Sequence, residues 1–271
     1  MANIVEIENL YYRYRDGTLA LDGLTMAIPR GSKAALLGPN GAGKSTLLLH
    51  FNGINTCQQG VVRVDGREVG RDSRWVRNLV GLVFQDPDDQ VFSMTVYDDV
   101  AFGPINQGLA HGELSDRVEW ALRAVDLWDL RDKAPHHLSF GQKKRVAIAG
   151  VLAMDPQIIV LDEPTAYLDP VGQAALLQIL EGLHAHGKTI VIATHDVDMT
   201  AEWADKLVVI KNGRTLAEGG TELLVDEGLI AEAGLRFPVV TQIFRQFPDL
   251  AGQLPTTVTG AVAAIRRLCR Q

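Results

Sequence analysis

The chain has 271 residues, of which 46% are hydrophobic and 22% charged, with a formal net charge of -7 at pH 7. This length suits one large α/β domain with a small appendix, and the acidic balance argues against a general nucleic-acid binder, so no nucleic-acid partner is expected. Two distant cysteines, Cys57 and Cys269, an acidic start without a signal pattern and no apolar run near the roughly 18 to 20 residues of a membrane helix point to a reducing, cytosolic setting.

Val5 to Leu10 alternates apolar Val5 and Ile7 with Glu6 and Glu8, which predicts a strand. Tyr11, Tyr12 and Tyr14 follow, then a polar turn at Asp16-Gly17. Leu24 to Ile28 alternates again, and Lys33 to Leu37 is a short apolar run entering a glycine-rich loop. Lys44 to Phe51 predicts a helix, Gly60 to Gly66 a strand and turn in an antiparallel layer, and Val80 to Phe84 another strand. From about Thr95 to Ala153 the pattern is helical throughout. Beyond it, strands at Gln157 to Leu161, Thr189 to Thr194 and Lys206 to Ile210 alternate with a helix at Pro170 to His186. Asn212-Gly213 is a hairpin turn, returned by Arg214 to Glu218. Such alternation predicts a mainly parallel sheet covered by helices.

The last stretch, 221 to 271, is broken by Phe237-Pro238 and Phe247-Pro248 into short helical pieces. Its final piece gathers Val258, Ala261, Val262, Ile265 and Leu268 on one face, with Arg266, Arg267 and Arg270 near the end that suits cations. That face fits either docking on the chain's own core or contact with a second chain.

Gly38-Pro39-Asn40-Gly41-Ala42-Gly43-Lys44-Ser45 fits the phosphate-loop spacing GxxxxGK[ST], between an apolar strand and a helical run. Glycines let successive backbone N–H groups converge on one anion, Lys44 adds a cation and the Ser45 hydroxyl suits Mg²⁺. Ile158 to Leu161 leads into Asp162-Glu163, two carboxylates at the end of a buried strand that need something cationic to meet them. Asp162 is placed to hold Mg²⁺ and Glu163 to polarise a water for attack on a γ-phosphate. His195 and Gln85 also end core strands, with a γ-phosphate contact expected for His195 and a Mg²⁺ or water contact for Gln85. His136-His137 and His184-x-His186 suggest no third metal ligand and are expected in solvated loops.

Leu138-Ser139-Phe140-Gly141-Gln142 opens another helix, with Ser139 as N-cap and Gln142 closing a capping box. Lys143, Lys144 and Arg145 then put positive charge at the helix end that is already positive. A phosphate arriving at this helix start would account for these cations and for Gly141, with any cation not reaching it solvated or paired locally.

Together these motifs resemble the nucleotide-binding subunits of ABC transporters over about residues 3 to 220. The matching elements are the phosphate loop through Thr46, Gln85, LSFGQ in the signature position, the strand IIVLDE, the D-loop Tyr167-Leu168-Asp169 and His195. The resemblance implies an α/β P-loop NTPase (RecA-like) core with an antiparallel β subdomain, a helical subdomain at about 86–155 and a C-terminal dimerisation region at 221–271. It also implies Mg²⁺-dependent ATP hydrolysis, with Tyr14, or second Tyr12, stacking on adenine. FQDPDDQVFSMTVYDDVAFGP, LSFGQKKRVAIAGVLAMDP and the tail resemble the energy-coupling-factor importers, most of all their cobalt-transport ATPases. Gln90 matches a second loop glutamine of that group, with a coupling role. Two ATPase subunits would bind two ATP head to tail, most simply as a homodimer, each nucleotide meeting the signature of the other copy. They would sit on the cytoplasmic face of the membrane, under a transmembrane coupling protein and a substrate-binding membrane component. Cobalt is the implied substrate, with nickel or a vitamin next. A non-transport ABC ATPase and a P-loop kinase are weaker fits, because a kinase has no use for LSFGQ.

Overall fold

The computed structural model describes residues 2–70, 74–247 and 254–268. Pro248, Cys269, Arg270 and the Leu268 side chain, singled out above or counted with the cysteines, lie outside what is described. Strands β1 (Asn3–Arg13), β2 (Leu19–Pro29) and β3 (Lys33–Leu37) precede helix α1 (Lys44–Phe51). Next come β4 (Gln59–Val64), the short β5 (Arg67–Glu68), α2 (Val76–Leu79) and β6 (Val80–Val83). The stretch expected to be helical holds α3 (Val96–Asn106), α4 (His111–Ala124) and α5 (Phe140–Ala153). Alternation resumes with β7 (Ile158–Asp162), α6 (Pro170–Ala185), β8 (Thr189–Thr194), α7 (Val197–Trp203), β9 (Lys206–Lys211) and β10 (Arg214–Gly219). The chain ends in α8 (Glu227–Ala233), α9 (Val239–Phe244) and α10 (Val258–Leu268). No helix among the described residues is long and apolar enough to cross a membrane.

Contacts divide the chain into two compact units. The first is Met1–Leu47, Cys57–Glu68 and Ala193–Gln271, and the second is Leu48–Thr56 and Val69–Ile192. In the first, β2-β1-β4-β5 form an antiparallel sheet whose buried side includes Val5, Ile7, Leu24, Met26 and Val62. Asn9 adopts a left-handed φ of 48° where the β1–β2 register shifts, and its N–H bonds the Thr25 hydroxyl at 3.0 Å. This bulge ends the simple alternation that the sequence shows at the start of β1. β3 runs parallel to β9, and β9 pairs with β10 through the Asn212-Gly213 turn. Ala34 to Leu37 are all fully buried, the pattern of a strand covered on both faces.

In the second unit the strand order is β8-β7-β6, with β6 and β7 parallel, and every residue of these three strands is buried. Local capping sets the helix starts around them. The Thr95 hydroxyl caps α3 by accepting the Asp98 N–H, and the Asp169 carboxylate caps α6 at Gly172 with Pro170 in its first turn. Three elements, β5, α2 and α7, were not anticipated. The longest, α7, has seven residues, too short a run for apolar periodicity to show.

Candidate functional site

The phosphate loop belongs to the first unit and is tightly bound by its neighbours. A Cβ at Gly38 would lie 2.2 Å from the Ile210 carbonyl oxygen, and one at Gly43, where φ is 101°, would lie 2.6 Å from that of Ala20. Only glycine satisfies both positions. The Gly213 N–H donates to the Ala42 carbonyl at 2.9 Å, so the β9–β10 hairpin turn supports the loop from behind. The Lys44 ammonium is buried and donates to the carbonyls of Gly38 at 2.7 Å and Pro39 at 3.1 Å, which folds it back across its own loop. Asn40, Gly41 and Ser45 are exposed, and Thr46 is buried. The Tyr14 and Thr46 hydroxyls share a 2.8 Å hydrogen bond, and the Tyr14 ring meets Tyr12 edge-on at 5.1 Å. This brings Tyr14 to the phosphate loop, while Tyr12 stands beside it. His195 is exposed just after β8, in a turn fixed by the Asp196 N–H on the Thr194 hydroxyl and by Asp196 capping α7.

The other motif residues lie in the second unit. Asp162 and Glu163 end β7, each only 6% exposed, and Glu163 adopts a left-handed φ of 44° that is uncommon for a residue with a side chain. Gln85 is exposed just beyond β6. Gln90 is turned inward: its Oε1 accepts the Phe84 N–H at 2.9 Å and its Nε2 donates to the Leu82 carbonyl at 3.0 Å. Its amide therefore braces the loop that carries Gln85, a role its spacing did not disclose.

Leu138 is buried before α5, and Ser139 and Gln142 complete the expected capping box. The Phe140 ring packs on Tyr167 at 4.5 Å, which engages it with the D-loop. A Cβ at Gly141 would sit 3.5 Å from the Tyr167 carbonyl oxygen and 3.6 Å from Leu168, ordinary contact distances. The chain itself therefore does not demand glycine at 141. Signature residues 139–142 and Tyr167 to Asp169 line one open pocket of about 640 Å³ with Arg145. Gln173, which no sequence pattern singled out, braces the D-loop by donating to the carbonyls of Thr165 and Leu168.

The three cations of α5 are answered within the unit. Lys143 pairs with Asp88 at 2.6 Å, and Arg145 donates to the Val125 and Asp126 carbonyls. Lys144 donates to the carbonyls of Phe84, Gln85 and Asp162. Burial pulls the Lys144 ammonium down to about 8, against the attraction of Asp162, Asp86 and Glu163. Their placement is thus explained by local oxygen partners rather than by a phosphate from outside.

The donor chemistry fits Mg²⁺. Ser45, Gln85 and Asp162 offer only oxygen ligands suitable for a hard cation, and the buried carboxylates of Asp162 and Glu163 favour positive charge nearby. Among the described residues no cluster of three or more His, Cys, Asp or Glu could hold a metal ion.

The family described as ABC transporter matches residues 21–166. The energy-coupling factor transporter ATP-binding protein EcfA of Carboxydothermus hydrogenoformans is 52% identical over 264 residues, covering 97% of each chain. The cobalt import ATP-binding protein CbiO of Rhodobacter capsulatus is 49% identical over 248 residues, covering 90% of this chain and 88% of its own. The solved structure of cbiO1 from Clostridium perfringens, part of the transporter complex cbiONQ, is 41% identical with a TM-score of 0.75, covering 92% of this chain and 98% of its own. The P-loop NTPase fold expected from the sequence is therefore the fold of the molecule.

Proposed function

Since this chain belongs to the ABC transporters, as an ATP-hydrolysing subunit of the energy-coupling-factor type, we propose that two copies close head to tail on two ATP and drive cobalt uptake through membrane partners. The observation that carries this reading is the open pocket of the second unit. It gathers the capped N-terminus of α5, Ser139 to Gln142 and the D-loop into one concave surface, suited to an anion presented by another chain.

In each copy, residues 38–46 would wrap the phosphates with backbone N–H groups and the Lys44 ammonium, while Tyr14 stacks on adenine. Glu163 would orient and polarise the attacking water, and His195 would contact the γ-phosphate. Asp169 would complete the D-loop contact between copies. Ser45, Asp162 and Gln85 would hold Mg²⁺, which when bound neutralises charge on the phosphate oxygens. The chain's own contribution is mainly positioning and charge complementarity, which is most of what phosphoryl transfer requires.

Attachment to the membrane is supported by a groove of about 440 Å³ in the second unit, lined by Leu82, Phe84, Gln90, Phe92, Phe102 and Met154 among others. Phe92, in its wall, and Met94, two residues on, are 67% and 86% exposed, an apolar prong left largely open to solvent. A helix of a transmembrane coupling protein fits this groove. Gln90, by bracing the loop at its edge, would transmit docking to Gln85. The subunit would thus work peripherally, on the cytoplasmic face of the membrane.

Cobalt is favoured by the likeness to the Rhodobacter protein. The EcfA relative, of slightly higher identity, carries no substrate in its name, and nickel or a vitamin is the second reading. Co-expression with the membrane subunits and ATP-dependent uptake of labelled cobalt separates them. Glu163→Gln is expected to keep ATP binding, to lower hydrolysis by roughly 10² to 10⁴, to abolish uptake and to hold the ATP-bound pair together. A Glu163→Gln subunit that hydrolyses at the wild-type rate, or stays monomeric with ATP, contradicts the mechanism. Uptake of nickel or a vitamin but not cobalt contradicts the substrate.

A further inference from the structure

Lys144 lies near the start of α5 and its side chain is 0% exposed. A buried ammonium is costly unless it is met by hydrogen-bond acceptors. Its Nζ donates to the Phe84 carbonyl at 2.7 Å, the Gln85 carbonyl at 2.9 Å and the Asp162 carbonyl at 3.3 Å. An ammonium has three donors, and three carbonyls take them all. Two of these carbonyls stand at the exit of β6 and the third at the end of β7. Lys143, one residue earlier, holds the same loop from outside through Asp88.

We propose that Lys144 is a positioning residue for ATP hydrolysis, fixing the backbone of Gln85 and Asp162 to the signature helix of the same chain. The inference rests on the assignment of Gln85 and Asp162 to the nucleotide. The residue type follows from the geometry. Methionine fills the space but removes the donor from three carbonyls, of which that of Asp162 is buried and those of Phe84 and Gln85 are part-buried. Glutamine can donate only two hydrogens. Arginine carries a flat fork that does not converge on three oxygens. Because residues 38–46, and not Lys144, are assigned to the phosphates, loss of this grip should reach the chemical step before it reaches nucleotide affinity.

The test compares Lys144→Met, Lys144→Gln and Lys144→Arg in the full chain assembled with its membrane partners. Turnover, KM for ATP, affinity for a fluorescent ATP analogue and Tm are measured, with turnover counted per folded, nucleotide-binding site. Lys144→Met is expected to lower kcat by about tenfold or more, since small misplacement of reacting groups is costly, with KM and analogue affinity little changed. Lys144→Gln should recover part of the loss and Lys144→Arg less. Unchanged kcat per folded site, with only Tm reduced, overturns the proposal. If Lys144→Met does not fold, Lys144→Gln decides by the same criterion. Gln85→Ala is measured alongside. If Gln85→Ala lowers hydrolysis and Lys144→Gln does not, the positioning role alone fails. If Gln85→Ala leaves hydrolysis intact, the assignment of the site falls and the proposal falls with it.

Discussion

Lys143, Lys144 and Arg145 stand at the end of a helix where the amide dipoles already leave positive charge. Asp88 and five backbone carbonyls offset that conflict. In the proposed function the pocket beside them, which Arg145 also lines, would hold an anion chiefly through the backbone N–H groups around Gly141 and not through Lys143 or Lys144. Gly141→Asp would bring a carboxylate into that approach, although a Cβ there fits the chain. We expect ATPase activity to fall by about 10² or more while Tm changes little. Phe140→Gly removes the ring contact with Tyr167 and weakens the first helical turn, at a combined cost of about 1 to 2 kcal/mol of stability. Its effect on activity should be the milder of the two. Parallel ATPase assays and melts check the order, and the reverse ranking would overturn the role given to Gly141.

Among the elements, the segment between β6 and α3 joins Gln85 to the groove proposed above for docking. The Asp99 carboxylate accepts the N–H groups of Phe92 and Ser93, at 2.9 and 2.6 Å, so the Phe92 to Met94 prong is held in shape from α3. Phe92 also meets Phe102 edge-on at 5.0 Å. The double variant Phe92→Asp, Met94→Asp should lose co-purification with the membrane subunits from detergent while keeping its Tm and nucleotide affinity. Retained co-purification would remove the groove from the docking surface. This segment also shows where legibility ends. The strand before it and the helix after it are plain in the sequence, because burial and capping act through neighbouring residues. The inward turn of Gln90 is not, because its partners are backbone groups, the Leu82 carbonyl inside β6 and the Phe84 N–H just beyond it, which no residue type marks.

At the scale of the whole chain, α10 leaves most of an apolar face uncovered among the described residues. Val258, Val262 and Ile265 are exposed, and only Ala261 is buried among the described apolar positions of that face. The helix start is tied down by the Val258 N–H on Glu202, and Thr241 of α9 bonds the Pro255 carbonyl. The helix is thus moored to its own unit at one end with most of its apolar face uncovered, which favours contact with a second chain over docking on its own core. Val262→Asp with Ile265→Asp should lower the mass measured by light scattering without nucleotide. In the Glu163→Gln background, ATP should restore pairing through the nucleotide interface. An unchanged mass with a lower Tm would instead assign the face to the chain's own core. By itself the sequence determined the order of strands and helices, the phosphate loop, the capped signature and the family. Each of these depends on residues within one turn or one strand of each other, so spacing alone encodes it. Only the tertiary structure decided that Gly43 sits against Ala20, that Gln173 holds the D-loop and that Lys144 reaches carbonyls 18 to 60 residues away. Those partners are backbone groups common to every residue, and their positions are set by how segments pack rather than by which residue types they contain.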